Sequence, residues 1–125
     1  VTVHKEGDFA PTHDHVNSLL SGVLYINIPE DDESVIEFYA PSYVNLFPLI
    51  RPAIKAFNLW NSKSWFVEPK TGTIVLFPST QAHGTTPMTS SADERYCLAF
   101  NVFAKGELSD TWQENKASIN RLDLK

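Results

Sequence analysis

The chain has one cysteine, Cys97. A single thiol forms no internal disulfide, so cross-links do not hold the fold and nothing marks an oxidising compartment; the cytoplasm is the expected location. Cys97 falls inside a strand-like run, where a small buried apolar residue is the ordinary reading. Basic charge is also scarce: 10 Lys and Arg stand against 15 Asp and Glu, a formal charge of -5 at pH 7. That balance argues against general nucleic-acid binding, which needs a positive surface. No apolar run reaches the length that crosses a bilayer, and no signal-peptide pattern is visible, so no membrane partner is expected. Internal repeats and low-complexity linkers are missing as well.

What the chain does have is aromatic side chains, 12% of 125 residues, within an apolar share of 42%. Such a chain is long enough for one domain, 1–125, with a real core, and its Phe, Tyr and Trp suit cross-strand packing. Val1 opens directly on strand-like residues without a methionine, as a fragment lacking an N-terminal segment would.

Strands are predicted at Val1–His4, Leu19–Ile28, Val35–Tyr39, Trp65–Val67, Thr71–Phe77 and Arg95–Ala104, separated by turn-rich stretches such as Glu30-Asp31-Asp32-Glu33. Many short strands with turns between them favour a sandwich or barrel. Pro41 to Asn61 is apolar but broken by proline, and reads as a covering loop with a short helix between Arg51 and Leu59. Its Phe47, Ile50 and Phe57 are expected to pack on the sheet, or on a second copy of the chain in a homodimer. The polar tail from Ser109 is expected to form a helix or a final edge element.

Chemistry concentrates in three of the four histidines. His13 and His15 form an H-x-H pair ahead of the strand-like run NSLLSGVLYINIP, and His83 stands in the loop of IVLFPSTQAHGTTP. Alternate residues of an extended chain point to one side, so the pair can present two imidazoles to one metal. A third ligand from a distant loop leaves coordination positions open, as a catalytic metal requires. His4 belongs to no matching motif and is expected on the surface. Arg95 opens the strand ERYCLAFNVF; its guanidinium can hold a carboxylate through two parallel hydrogen bonds. A surface ion pair with Glu94 is the plainer alternative.

The blocks GDFAPTHDH, NSLLSGVLYINIP, TGTIVLFPSTQAHGTTP and ERYCLAFNVF, in this order, closely resemble the phage- and bacterium-associated branch of the Fe(II)/2-oxoglutarate oxygenases. The resemblance runs from about Gly7 to about Phe103. It implies an all-β, double-stranded β-helix (jelly-roll, cupin-like) core with minor helix, one Fe(II) held by His13, His15 and His83, and 2-oxoglutarate and O₂ as co-substrates. Arg95 would bind the far carboxylate of 2-oxoglutarate, assisted by Tyr25 and Asn101. The wider superfamily supplies H-x-D or H-x-E at the proximal site; here His15 stands in the carboxylate position, and Asp14 and Asn17 are the alternative ligands.

Strand parity bears on the same pocket. Arg95, Cys97, Ala99 and Asn101 share one face, mixing charge, small residues and an amide, while Tyr96, Leu98, Phe100 and Val102 share the other, expected to be plain core. The activity implied is oxidation of 2-oxoglutarate to succinate and CO₂ with hydroxylation of a peptidyl side chain or small molecule. Two rivals stand beside it. One is a three-histidine, cupin-type dioxygenase that does not use 2-oxoglutarate; the other is a non-catalytic jelly-roll binding module.

Overall fold

The computed structural model describes residues 1–40, 54–58, 61–109 and 116–119. Its elements are strands: β1 (Thr2–His4), β2 (Leu20–Asn27), β3 (Ile36–Tyr39), β4 (Ser64–Val67), β5 (Ile74–Pro78), β6 (His83–Thr85), β7 (Arg95–Val102), β8 (Gly106–Ser109) and β9 (Lys116–Ile119). No helix occurs among the described residues, so none there is long and apolar enough to cross a membrane.

Two antiparallel sheets make the body, a four-stranded sheet in the order β1-β7-β2-β5 and a three-stranded sheet in the order β4-β3-β6. Strands that alternate polar and apolar residues must choose which face turns inward, and register fixes that choice for every neighbour at once. β2 and β7 pair as Ser21↔Asn101, Val23↔Ala99 and Tyr25↔Cys97, with a bulge between Tyr25 and Asn27. β1 then adds His4 directly opposite Arg95. The residues that meet across these pairs line a cavity of about 250 Å³, whose opposite wall is Ile36 of β3 and His83, Gly84 and Thr85 of β6. Phe38 of β3 meets Phe77 of β5 edge-to-face at 5.0 Å and ties the two sheets together. This all-β sandwich agrees with the jelly-roll expectation.

Several expectations change. The helix expected between Arg51 and Leu59 is not formed at residues 54–58, which bend without helical structure; 51–53 and 59 lie outside the described residues. Of the covering-loop anchors, Phe47 and Ile50 also lie outside them, and Phe57 is 72% exposed rather than packed. In the tail, residues 116–119 form β9 paired with β8, the edge-element alternative, while 110–115 and 120–125 lie outside the described residues. His83 sits on a strand, β6, and not in a loop, because its backbone pairs with Phe38.

The second face of β7 is no plain core. Leu98 and Val102 are 39% and 41% exposed, and Ile74 and Leu76 of β5 share this outward apolar surface. Gly22 belongs to the same face: a Cβ there would meet the Phe100 ring at 2.5 Å. Phe100 thus fills the space that the missing side chain leaves.

Candidate metal centre and carboxylate pocket

His13, His15 and His83 come together. One ligand atom from each lies within 4.8 Å of the other two, which makes them a group able to hold a metal ion. Backbone pairing produces this convergence. His13 and His83 form an isolated antiparallel bridge, each amide donating to the other's carbonyl at 2.9 Å. The His15 amide donates to the Ser79 carbonyl at 2.8 Å, and the Ser79 amide donates to Leu19 at 3.1 Å, so the H-x-H segment is laced to the β5–β6 connection.

Two of the rings are oriented by their own backbone. The Nδ1 of His13 pairs with the Pro11 carbonyl at 2.7 Å and that of His83 with the Gln81 carbonyl at 2.9 Å. A carbonyl only accepts, so Nδ1 carries a proton in both rings, and in the neutral form the lone pair lies on Nε2, as a metal ligand requires. Burial lowers the pKa of His83; the Gln81 hydrogen bond opposes this, while His13 and His15 push the same way as burial, favouring the neutral ring. Phe77 covers His83 at 4.5 Å, giving the donors an apolar backing.

The donor set is three imidazoles. Asp14 contributes no oxygen to the cluster, and neither Asp14 nor Asn17 lines the cavity; both are exposed. The parity that sends His13 and His15 inward sends Asp14 out. Three imidazole nitrogens suit a first-row divalent metal, iron included, and leave room for other ligands.

Arg95 lies on the same cavity, 1% exposed. Its Nη1 donates to the Ser34 hydroxyl and pairs with Asp32 at 3.5 Å, and its Nη2 donates to His4 Nδ1. Nε, also buried, meets no nitrogen or oxygen partner among the described residues, and the Cys97 thiol lies beside the guanidinium. Glu94 is not its partner: that carboxylate pairs with Lys5 at 3.3 Å and accepts from the Tyr96 hydroxyl. The surface alternative for Arg95 therefore fails.

Asp32 lies in the expected acidic turn, and its side chain faces inward, accepting from the Ser34 amide at 3.0 Å, the Ser34 hydroxyl at 2.9 Å and the Thr89 amide at 3.2 Å. Burial pushes its carboxyl up, but these hydrogen bonds together with the Arg95 charge outweigh it and hold the group below its ordinary value. The only signal in the sequence is the Asp-x-Ser spacing of an Asx turn, which is too common to single it out. His4 is likewise displaced from its expected surface position to the cavity wall. No short-range pattern marks it, since its place comes from the pairing of β1 with β7.

Tyr25 and Asn101 line the cavity with Arg95. Tyr25 is 3% exposed, and no hydrogen bond joins its hydroxyl to Arg95. Burial, with Cys97 alongside, pushes its pKa up to about 12 despite the nearby Arg95 charge. Asn101 sits at the far end of β7 from Arg95, where its Oδ1 accepts from the Ser21 hydroxyl at 2.7 Å. Ser21 continues to Ser79 at 2.8 Å and Ser79 accepts from Ser18 at 2.7 Å, a run of hydroxyls that the sequence did not announce. Burial pushes the Cys97 thiol up, as an inert core residue would show.

Residues 1–101 match the family described as "Putative 2OG-Fe(II) oxygenase". The chain belongs to the 2OG-Fe(II) oxygenase family. Among curated proteins, none matches it.

Proposed function

We propose that the protein is an Fe(II)- and 2-oxoglutarate-dependent oxygenase that hydroxylates a peptidyl side chain or a small molecule. The observation that carries this reading is the pairing, on one cavity, of a three-imidazole cluster with a buried arginine. His13, His15 and His83 would hold the iron. Arg95 would hold the far carboxylate of 2-oxoglutarate, with Tyr25 beside it and Asn101 at the other end of the strand.

Iron supplies the oxygen chemistry: one O atom leaves in succinate as 2-oxoglutarate loses CO₂, and the other enters a substrate C–H bond. The chain's own contribution is positional. Backbone carbonyls at Pro11 and Gln81 fix two imidazoles in the ligating tautomer. Phe77 and Ile36 keep the pocket apolar around the reacting groups. Asp32 and Ser34 lock the guanidinium, so that a carboxylate meets a preset fork.

A second reading has one observation in its favour: the third metal donor is an imidazole and not a carboxylate, as in three-histidine dioxygenases that need no 2-oxoglutarate. The buried Arg95 opposes it. Incubation with Fe(II), O₂ and 2-oxoglutarate separates the two. The first reading gives succinate without any other substrate, and complete absence of succinate under these conditions would favour the second. One domain over 1–125, a cytoplasmic location, independence from nucleic acid and membrane, and kinship with the phage- and bacterium-associated branch complete the proposal. Self-association into a homodimer is compatible with the outward apolar surface of β5 and β7.

A further inference from the structure

Asn101 shares a rung of the four-stranded sheet with the apolar backing of the metal cluster. It pairs with Ser21, Ser21 pairs with Phe77, and the Phe77 and His83 rings lie 4.5 Å apart. Arg95 is 1% exposed, whereas Asn101 lines the same cavity and is exposed, so this rung marks the open end. A molecule that enters once 2-oxoglutarate occupies the Arg95 end would meet it there.

An exposed asparagine ordinarily turns freely in water, but this one is held from beneath. Ser18 donates to Ser79 at 2.7 Å, Ser79 and Ser21 are 2.8 Å apart, and Ser21 donates to Asn101 Oδ1 at 2.7 Å. Each hydroxyl has one proton, so the run points one way and ends on the amide oxygen. Two buried serines, 2% and 1% exposed, thus orient one exposed side chain, and neither N–H of its Nδ2 has a partner among the described residues. The Ser79 carbonyl also accepts the His15 amide at 2.8 Å. The asparagine and a metal ligand therefore hang on one residue, which presets the amide relative to the imidazoles.

Two N–H groups offer hydrogen bonds to an oxygen acceptor, either a carbonyl or a carboxylate. Charge separates these. A divalent metal and doubly negative 2-oxoglutarate cancel, Arg95 and Asp32 cancel, and His4, accepting from Arg95, is neutral. Among the described residues no Lys and no second Arg lines the cavity. A further anion would meet no countercharge, whereas a neutral carbonyl needs none. Leu19 and Phe103, each two residues beyond this rung in the chain, are 60% and 54% exposed and give the approach an apolar border. We propose that Asn101 is a specificity-determining residue whose amide N–H groups hold a carbonyl oxygen of an uncharged peptide substrate, presenting a neighbouring C–H bond to the three-histidine cluster. This rests on the reading that the cluster binds iron and Arg95 binds 2-oxoglutarate. It gives Asn101 to the second substrate and selects a residue within a peptide over a charged small molecule.

The probe is a pool of N-acetyl amino-acid methylamides covering the standard residues, with the free amino acids as the charged control. In NMR spectra of isotope-labelled protein holding Zn(II) and 2-oxoglutarate, which turns nothing over, the pool should shift the Asn101 side-chain NH₂ signals. These signals are identified by their loss in Asn101→Asp, and the pool should move them further than 2-oxoglutarate does. With Fe(II) and O₂ the pool should raise succinate formation above the level given by 2-oxoglutarate alone, and the free amino acids should not. Asn101→Asp keeps an acceptor for Ser21 but lacks the donors; it should raise the pool concentration for half-maximal stimulation roughly tenfold, more than it raises the KM for 2-oxoglutarate. Asn101→Ala removes the amide without adding charge and should act in the same direction. Signals and turnover unmoved by the pool, free amino acids as effective as the pool, or a larger effect of either variant on 2-oxoglutarate would each overturn the proposal. No succinate from the unsubstituted protein with Fe(II), O₂ and 2-oxoglutarate would instead defeat the oxygenase reading beneath it, and this proposal with it.

Discussion

His13 and His83 face each other across a two-bond backbone bridge, with ring centroids 4.4 Å apart. Residues so far apart in sequence are joined by main-chain hydrogen bonds, so the cluster does not depend on side chains finding one another. A metal would enter a prepared set of donors.

Losing one donor should therefore separate cleanly from losing the carboxylate clamp. His83→Ala is expected to abolish both Mn(II) binding and succinate formation. Arg95→Ala should keep metal affinity and raise the 2-oxoglutarate concentration needed for turnover by tenfold or more, as loss of a charged bidentate partner does. Equal loss of metal affinity in both variants would mean that Arg95 supports the fold instead.

Gly84 follows His83 on β6, and a Cβ there would lie 3.1 Å from the Ala10 carbonyl oxygen and 3.3 Å from Thr12 Cα. These are backbone atoms that cannot rotate away, and they belong to the segment leading into His13. Gly84→Ala should push that segment outward and weaken Mn(II) binding severalfold, while the circular dichroism of the sheets stays unchanged. Unaltered metal affinity would show that the H-x-H segment adapts freely.

Ser79, 1% exposed, binds the H-x-H segment through its backbone and Ser18 and Ser21 through its hydroxyl. Ser79→Ala should cost about 1–3 kcal/mol in denaturant unfolding, because the buried Ser21 and part-buried Ser18 hydroxyls lose their shared partner. A stability loss within error would contradict the hydroxyl run as a fixed element.

Tyr25 should shape the alkaline limb of stability. Its pKa is about 12 in the fold, while its ordinary value is 10.0. The folded state keeps the proton that the unfolded chain releases first. Its contribution is thus fully present below pH 10 and falls between pH 10 and 12, by about 2–3 kcal/mol in total. Tyr25→Phe should flatten that part of the stability profile; an identical slope in the variant would place the titration elsewhere.

Much of this site could be read from strand parity. The alternation of β2 and β7 puts Ser21, Val23, Tyr25, Arg95, Cys97, Ala99 and Asn101 on one cavity, and all of them line it. The H-x-H spacing likewise predicts two inward imidazoles with Asp14 outward. The sequence could not reveal features that arise only when distant segments meet. His4 is placed beside Arg95 by the β1–β7 register, Asp32 by a turn folded back onto Arg95, and β6 is too short to carry a period. The apolar outer face of β7 looked like core because periodicity tells two faces apart without saying what covers either.

In the proposed function, one cavity holds iron at the three histidines and 2-oxoglutarate between the iron and Arg95. Anaerobic titration of Fe(II) with and without 2-oxoglutarate, followed by visible absorption, tests it most directly. A broad visible band should require Fe(II) and 2-oxoglutarate together, vanish in His83→Ala, and need more 2-oxoglutarate in Arg95→Ala. Fe(II) that binds tightly while the spectrum stays indifferent to 2-oxoglutarate would contradict it.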